Sequence, residues 1–464
     1  MRISFAIDLP RSPRENMLTS EPTISPLRAR IAMFASSSWS IVLVGLAIRL
    51  AVVGFLYPDQ MDPGQNHWHF AFENGKIADS ILHGHGFANP LFANTGPTAW
   101  QPPVYPYLIA GVFLIFGAYT TASALVLLAF QSLVSALTCL PLAAVARQLF
   151  GDRVALFAGW AWALFPLGIY WPAERIWPTW LAGLLLTLLF WMTLRFERPA
   201  SLGWWIGYGF LWGFAGLTDP VVLSVLPAMF GWIAYRLHQR HERWIRPLMV
   251  ASLALALSVS PWFIRNYLVF HRIIPFRDSM GLEMWVGNNG DTSYWASYAL
   301  SSALVQKIGP WRNEAELKEL QRVGEIAYMK ESGEKAMAFV RAHPRWFAAV
   351  TVRRIVFIWT HFWSFNPSYL AQEPDDPANI AFSTVFTLLT LVGLRRVFQE
   401  NRSVAVLFAL VFLFFPIVYY VSHVEVYYRR QIDPLMVLLS VYGLSSSLGW
   451  KVKTPVLAKA PGVP

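Results

Sequence analysis

The chain has 464 residues, 55% of them hydrophobic and only 14% charged, with a mean hydropathy of +0.42. A soluble globular chain carries roughly a quarter charged residues, so this composition excludes an ordinary soluble enzyme. The formal net charge of +10 reads as loop orientation in a membrane chain, and no nucleic-acid partner is inferred from it.

The apolar residues come in blocks long enough to cross a bilayer as helices. Lipid admits only helices or closed barrels, and the alternating pattern of a barrel is absent. The expected fold class is therefore an all-α polytopic membrane protein. Residues 1–36, rich in Pro, Ser and Arg, read as a disordered cytoplasmic tail and not as a signal peptide. Spans are expected near 38–57, 122–146, 154–171, 179–195, 202–218, 221–236, 247–264, 380–397, 403–422 and 431–449. Cys139 lies inside one of them and has no cysteine to pair with. With the N-terminus inside, the basic connections all fall on the cytoplasmic side: Arg147 with Arg153, Arg195 with Arg198, the run 235–246, Arg395 with Arg396 and Arg402, and the final Lys-Val-Lys.

Two further apolar stretches, 102–117 and 345–363, are expected to lie as helices on the outer membrane surface. The second carries Arg353 and Arg354 at its middle, which is costly within hydrocarbon. The resulting organisation is a tail 1–36, an N-terminal transmembrane core 37–264 containing a first outer loop 58–121, an outer region 265–379, C-terminal spans 380–450 and a cytoplasmic tail 451–464. The polar material is thus concentrated on the outer face.

Candidate chemistry begins in the first outer loop. The stretch ENGKIADSI (73–81) reads as a short helix with Glu73, Lys76 and Ser80 on one face and Phe70, Ile77 and Ile81 on another. The bland alternative is a solvated helix face with a weak ion pair. The segment WQPPVYPYL (100–108) has a rigid Pro-Pro entry, with Gln101 and Tyr105 placed to hydrogen-bond a polar ligand. Arg175, Arg265 with Asn266, and Arg429 with Arg430 sit at three outer span ends. Arginine there runs against the positive-inside tendency and suits a phosphate; headgroup snorkelling is the alternative. His67, His69, His83 and His85 cluster, but their spacing fits no usual zinc site. No metal ligands are assigned, and there is no phosphate-cradling Walker loop.

With these residues in view, the chain resembles the GT-C fold membrane glycosyltransferases, in particular the protein O-mannosyltransferases and the aminoarabinose transferases that modify lipid A. The matching stretches are ENGKIADSI (73–81), WQPPVYPYLIAGVFLIFG (100–117), PWFIRNYLVF (261–270), GLEMWVGNNG (281–290) and YYRRQIDP (427–434). The resemblance implies a GT-C fold with ten or more spans and juxtamembrane helices. It maps the family's acidic base onto Glu73 and the following basic residue onto Lys76. Departures are a single acid where relatives often have two adjacent ones, Gln101 where Lys or His usually precedes Pro-Pro, and no Arg in TTASALVLL (120–128). They leave the donor sugar and the acceptor unnamed.

The implied function is transfer of a sugar from a polyprenyl-phosphate donor to a protein, lipid or glycan acceptor at the outer face of the inner membrane, with inversion. Phosphate is a good leaving group, so one carboxylate suffices to take the acceptor's proton, and cations should meet the departing charge. Lys76, Gln101, Tyr105, Arg175, Arg265, Asn266, Arg429 and Arg430 are the candidate substrate-binding set. No cofactor is assigned, and a divalent cation is left open. A transporter or flippase is the alternative, disfavoured because no inverted repeat is visible and Asp219 lies at a span end. An inactive scaffold is a third.

Overall fold

The computed structural model describes residues 34–60, 70–91, 93–197, 200–291, 307–363, 367–371, 376–425, 427–447 and 449. Each expected span falls on a helix, or on two helices joined at a break that prolines explain. Thr121–Leu137 and Cys139–Phe150 part just before Pro141, which has no N–H to give the previous turn. Asp152–Ala163 and Pro166–Glu174 part where Phe165 is held extended by Pro166. Arg402–Phe414 and Ile417–Val421 part at Pro416. Among the described residues, seven spans are long and apolar enough to cross a membrane, and Val104–Phe116, Thr179–Arg195 and Asp433–Ser445 are shorter apolar helices. The described residues contain no strand, only an isolated bridge between Ala88 and Pro97.

Packing between spans uses close backbone approach, because lipid supplies little hydrophobic drive between helices. Leu202–Thr218 lies against Ile245–Phe270 through Gly209 and Gly213. A Cβ on Gly209 would come 2.1 Å from the Ala251 carbonyl oxygen, and one on Gly213 1.7 Å from Ser258 Oγ. The first span, Ser38–Gln60, carries a buried cation. Arg49 donates to the carbonyls of Gly45, Trp162, Ala163 and Gly168 and to Ser135 Oγ. A charge at that depth is tolerable because all three guanidinium nitrogens donate to protein acceptors. Arg49 therefore ties the first span to two others.

A polar layer covers one end of the bundle. It comprises Met280–Gly287, Glu314–Val323 and Glu325–Ala342. Asn313 caps the second of these by accepting from Ala315 N and Glu316 N. The third seats on the first where the bare Gly281 Cα meets the Met329 carbonyl. A buried clip joins the layer to the first loop: Glu325 accepts from Thr98 Oγ1 and Ala99 N, and Asp278 N donates to Ala99 O.

The two stretches expected as surface helices are helical. Val104–Phe116 has 13 residues, about 20 Å, and packs chiefly on Glu73–Leu82. Pro344–Thr360 packs on Asp376–Glu400 and Ile417–Val421. Its Arg354 points inward, donating to Gly287 O, Asn288 Oδ1 and Tyr420 O. The central arginine of that stretch is thus accommodated by protein carbonyls and not by a water-facing surface.

Candidate active site

The helix Glu73–Leu82 begins abruptly. Ala71 and Phe72 take positive φ values of 57° and 26°, which non-glycine residues seldom adopt. The chain then doubles back, so that Asn74 N and Asn74 Nδ2 both donate to Ala71 O. A Cβ on Gly75 would stand 2.6 Å from Phe70 O. The sequence Glu-Asn-Gly thus has a local logic: Asn74 closes the turn, Gly75 permits the close crossing, and Glu73 is left at the helix N-terminus. Strain of this kind, held in place by buried Phe70 and Ile77, is characteristic of working sites.

Glu73 is buried, and its Oε1 accepts from Trp311 Nε1 at 2.8 Å. Burial pushes its carboxyl up to about 7. Its own backbone N–H, the Trp311 N–H and the charge of Arg277 pull the other way, while Glu283 adds to the rise. A group with that value is poised to take or hold a proton near neutrality.

Glu73 opens on a cleft assembled from segments far apart in sequence. Gln101 and Pro102 line it from the first loop, Arg175, Trp177, Pro178, Thr179 and Thr218 to Val221 from span ends, Glu283 from the polar layer, and Arg277 and Trp311 from the segments that lead into its helices. Tyr419, Ser422, His423, Tyr427, Tyr428 and Gln431 complete it. The cations are Arg175, paired with Glu174 at 2.8 Å and lying over the Tyr427 ring, and Arg277, 3.8 Å from Glu283. His423 Nε2 is 2.8 Å from Tyr428 Oη, and burial lowers the imidazole's affinity for a proton. Gln431 donates to Asp219 Oδ2 at 2.6 Å. Glu425, just behind the lining, is pushed up to about 8 by burial, opposed by Arg175. Among the described residues, no group of three or more His, Cys, Asp or Glu side chains is gathered for a metal.

Of the residues expected from sequence, Glu73, Gln101 and Arg175 meet in this cleft. The others go elsewhere, for identifiable reasons. Lys76 opens on a separate cleft with Asp79, His83 and His85, its ammonium 4.8 Å above the Tyr119 ring, and burial lowers it to about 8. Tyr105 is core, and its hydroxyl donates to Gln131 Oε1. Gln131 in turn holds Pro172 O, Arg175 O and Trp177 N, so Tyr105 bears on Arg175 only through that side chain. Arg265 is spent on Thr98 O, Phe87 O and Asn266 Oδ1, and Asn266 Nδ2 on Ile274 O; both brace loops. Arg429 and Arg430 are buried against Asp433, and Arg429 also donates to Ile358 O and Trp359 O. Their neighbours Tyr428 and Gln431 face the cleft instead. His67 and His69 lie outside the described residues, whereas His83 and His85 are exposed.

Arg277, Glu283 and Trp311 are cleft residues that the sequence reading did not single out. Glu283 lies within GLEMWVGNNG, one of the stretches that carry the family resemblance, and Arg277 within IPFRDSM, a cation on the polar side where none is needed for topology. Those were the available signals. Trp311 carried none, since its meeting with Glu73 joins positions 238 residues apart.

Taken together, the helical bundle, its polar layer and the cleft between them define a polytopic membrane protein of the GT-C fold. Residues 100–264, just over a third of the chain, match the family model for dolichyl-phosphate-mannose-protein mannosyltransferase. No curated protein matches the chain. Among solved structures, it is similar to the Archaeoglobus fulgidus oligosaccharyltransferase in complex with Zn and sulfate, at 11% identity and a TM-score of 0.50. That match covers 88% of this chain and 49% of the other, so the chain spans about half the length of that enzyme. The same archaeal enzyme with an inhibitory peptide and a dolichol-phosphate gives 13% identity and a TM-score of 0.49, over 89% of this chain and 50% of the other. ArnT from Cupriavidus metallidurans bound to undecaprenyl phosphate gives 14% and 0.39, over 90% and 78%. At 11% identity the likeness to the first of these shows the fold alone.

Proposed function

We propose that the chain is a membrane glycosyltransferase that moves a sugar from a polyprenyl-phosphate donor to an acceptor at the outer face of the inner membrane. The observation that carries this reading is a buried Glu73 beside Trp311, in a cleft that also presents Arg175 and Arg277. The ionised carboxylate takes the proton from an acceptor hydroxyl or amide as that atom attacks the anomeric carbon. The bond from that carbon to the phosphate oxygen breaks, and the oxygen leaves with the electron pair. Arg277 and Arg175 neutralise the growing charge on the phosphate. No general acid is needed, because the leaving group is already stable as an anion. A single displacement of this kind inverts the anomeric centre.

The family match over 100–264 supports this chemistry, as do the lipid phosphates in the names of the similar structures. The aromatic lining of Trp177, Tyr419, Tyr427 and Tyr428 suits the faces of a sugar ring. The lipid chain would lie between spans, leaving its phosphate at the cleft. The test is release of polyprenyl phosphate from a panel of polyprenyl-phosphate sugars by the purified full chain in nanodiscs. Glu73→Gln should lower that release about 10²–10⁴-fold with an unchanged melting temperature. Full activity in the variant, or uptake of the probe into liposomes with no transfer by the wild type, overturns the reading.

A further inference from the structure

Trp311 stands apart from the other lining residues because of how it is held. Its indole N–H is directed at Glu73 Oε1 at 2.8 Å. The ring meets Trp100 edge to face, with centroids 6.0 Å apart, and packs on a buried cluster that includes Phe72, Leu282, Ile308 and Leu320. The indole also lies across its own backbone at Gly309, where a Cβ would come 2.0 Å from Trp311 Cε3 and 2.2 Å from Cζ3. Only a residue without a Cβ lets the ring occupy that place. Phe72 of the same cluster immediately precedes Glu73 and has the strained φ. One apolar cluster thus sets both the backbone that presents the carboxylate and the donor that orients it.

We propose that Trp311 is a positioning residue for Glu73. The indole N–H fixes the rotation of the carboxylate and stabilises its ionised form, and Gly309 makes that contact sterically possible. The inference rests on the reading of Glu73 as the base, which it deepens. An N–H donor to an anionic oxygen favours the charged state. Losing it should make Glu73 hold its proton to higher pH. A tryptophan that merely filled space would leave the titration where it was.

The experiment uses the full chain in nanodiscs, a water-soluble carbodiimide with glycine ethyl ester, and peptide mass spectrometry of the Glu73 peptide from about pH 5 to about pH 9. The carbodiimide marks the protonated carboxyl, so its pH midpoint reports the Glu73 titration. The wild-type midpoint is expected near 7. In Trp311→Phe, which keeps an aromatic ring and removes the N–H, the midpoint should rise by about one unit. Gly309→Ala, which displaces the indole without removing it, should move the midpoint the same way. It also serves as the test if the Phe variant does not fold. A midpoint unmoved in a folded variant overturns the proposal. Release of polyprenyl phosphate by Glu73→Gln separates the two readings. If that variant is fully active while the Trp311→Phe midpoint moves, the contact stands and the base assignment falls. If it is inactive while the midpoint stays fixed, the base stands and the positioning role falls.

Discussion

Glu73 and the two arginines facing it carry opposite demands, and their environments meet them differently. The carboxyl is buried and pushed up to about 7, so as a base it works only above that value. Transfer should climb about tenfold per pH unit on the acid side and level off above about pH 7, read as polyprenyl phosphate released against pH. A flat profile from about pH 5 to about pH 8 would remove Glu73 from the role. Arg277 sits at the cleft, whereas Arg429 is tied into protein. Arg277→Ala should therefore cost about 10²–10³-fold in rate with little change in melting temperature. Arg429→Ala should instead strip Asp433 of a buried counter-charge and destabilise the fold by about 3–5 kcal/mol. Thermal unfolding alongside the transfer assay distinguishes the two. Glu73, Gln101 and Arg175 were legible in the sequence because a polar group at the edge of an apolar run has few structural excuses. Arg265, Arg429 and Arg430 had the same signature, yet they do not line the cleft. The carbonyls that Arg265 and Arg429 meet lie in distant segments and are not displayed by a pattern along the chain, whereas Asp433, the partner of Arg429 and Arg430, stands in the same stretch and was passed over.

At the scale of elements, the first loop and the polar layer are joined by carboxyls that share burial. Asp278 and Glu325 are both held above the usual carboxylate range, first by burial; the charge of Asp278 adds to the rise at Glu325, whereas Arg277 and hydrogen bonds oppose it at Asp278, which is raised to about 6. A carboxyl whose value is raised in the folded state stabilises that state while protonated. The contribution is fully present below the unfolded carboxylate value and is lost as pH rises through about 6. Amides of Glu325–Ala342 should accordingly exchange more slowly near pH 5 than near pH 8 after correction for intrinsic rates. Asp278→Asn should flatten that difference, and equal protection at both pH values in the wild type would show that the clip does not hold the layer. The helices themselves were readable from apolar run lengths, whereas the breaks at Pro141, Pro166 and Pro416 lie within stretches expected as continuous spans. The inward turn of Arg354 was not, because the carbonyls that receive it belong to residues 287 and 420.

For the molecule as a whole, the decisive expectation is which side the cleft faces. His85 and His241 are both exposed, the first in the loop beside Glu73 and the second in the basic connection after Leu226–Gln239. Cysteine placed at His85 should react with a membrane-impermeant maleimide in spheroplasts, and cysteine at His241 only after lysis. The natural Cys139 is buried and should contribute no background. The reverse pattern would put the chemistry in the cytoplasm and sink the proposed reaction. The bundle's cohesion depends on Arg49 in equal measure. Arg49→Met removes the hydrogen bonds that join the first span to its neighbours, so its melting temperature should fall below that of the wild type.

The cleft takes residues from Phe72 through Gln431, and this has a consequence for how the protein comes into being. During synthesis, the early helices enter the bilayer with Glu73 already outside any finished cavity. Tyr419, Tyr428 and Gln431 are translated last among its walls. A nascent chain that stops short of these residues lacks one wall of the cleft, so the proposed reaction would await insertion of the last helices.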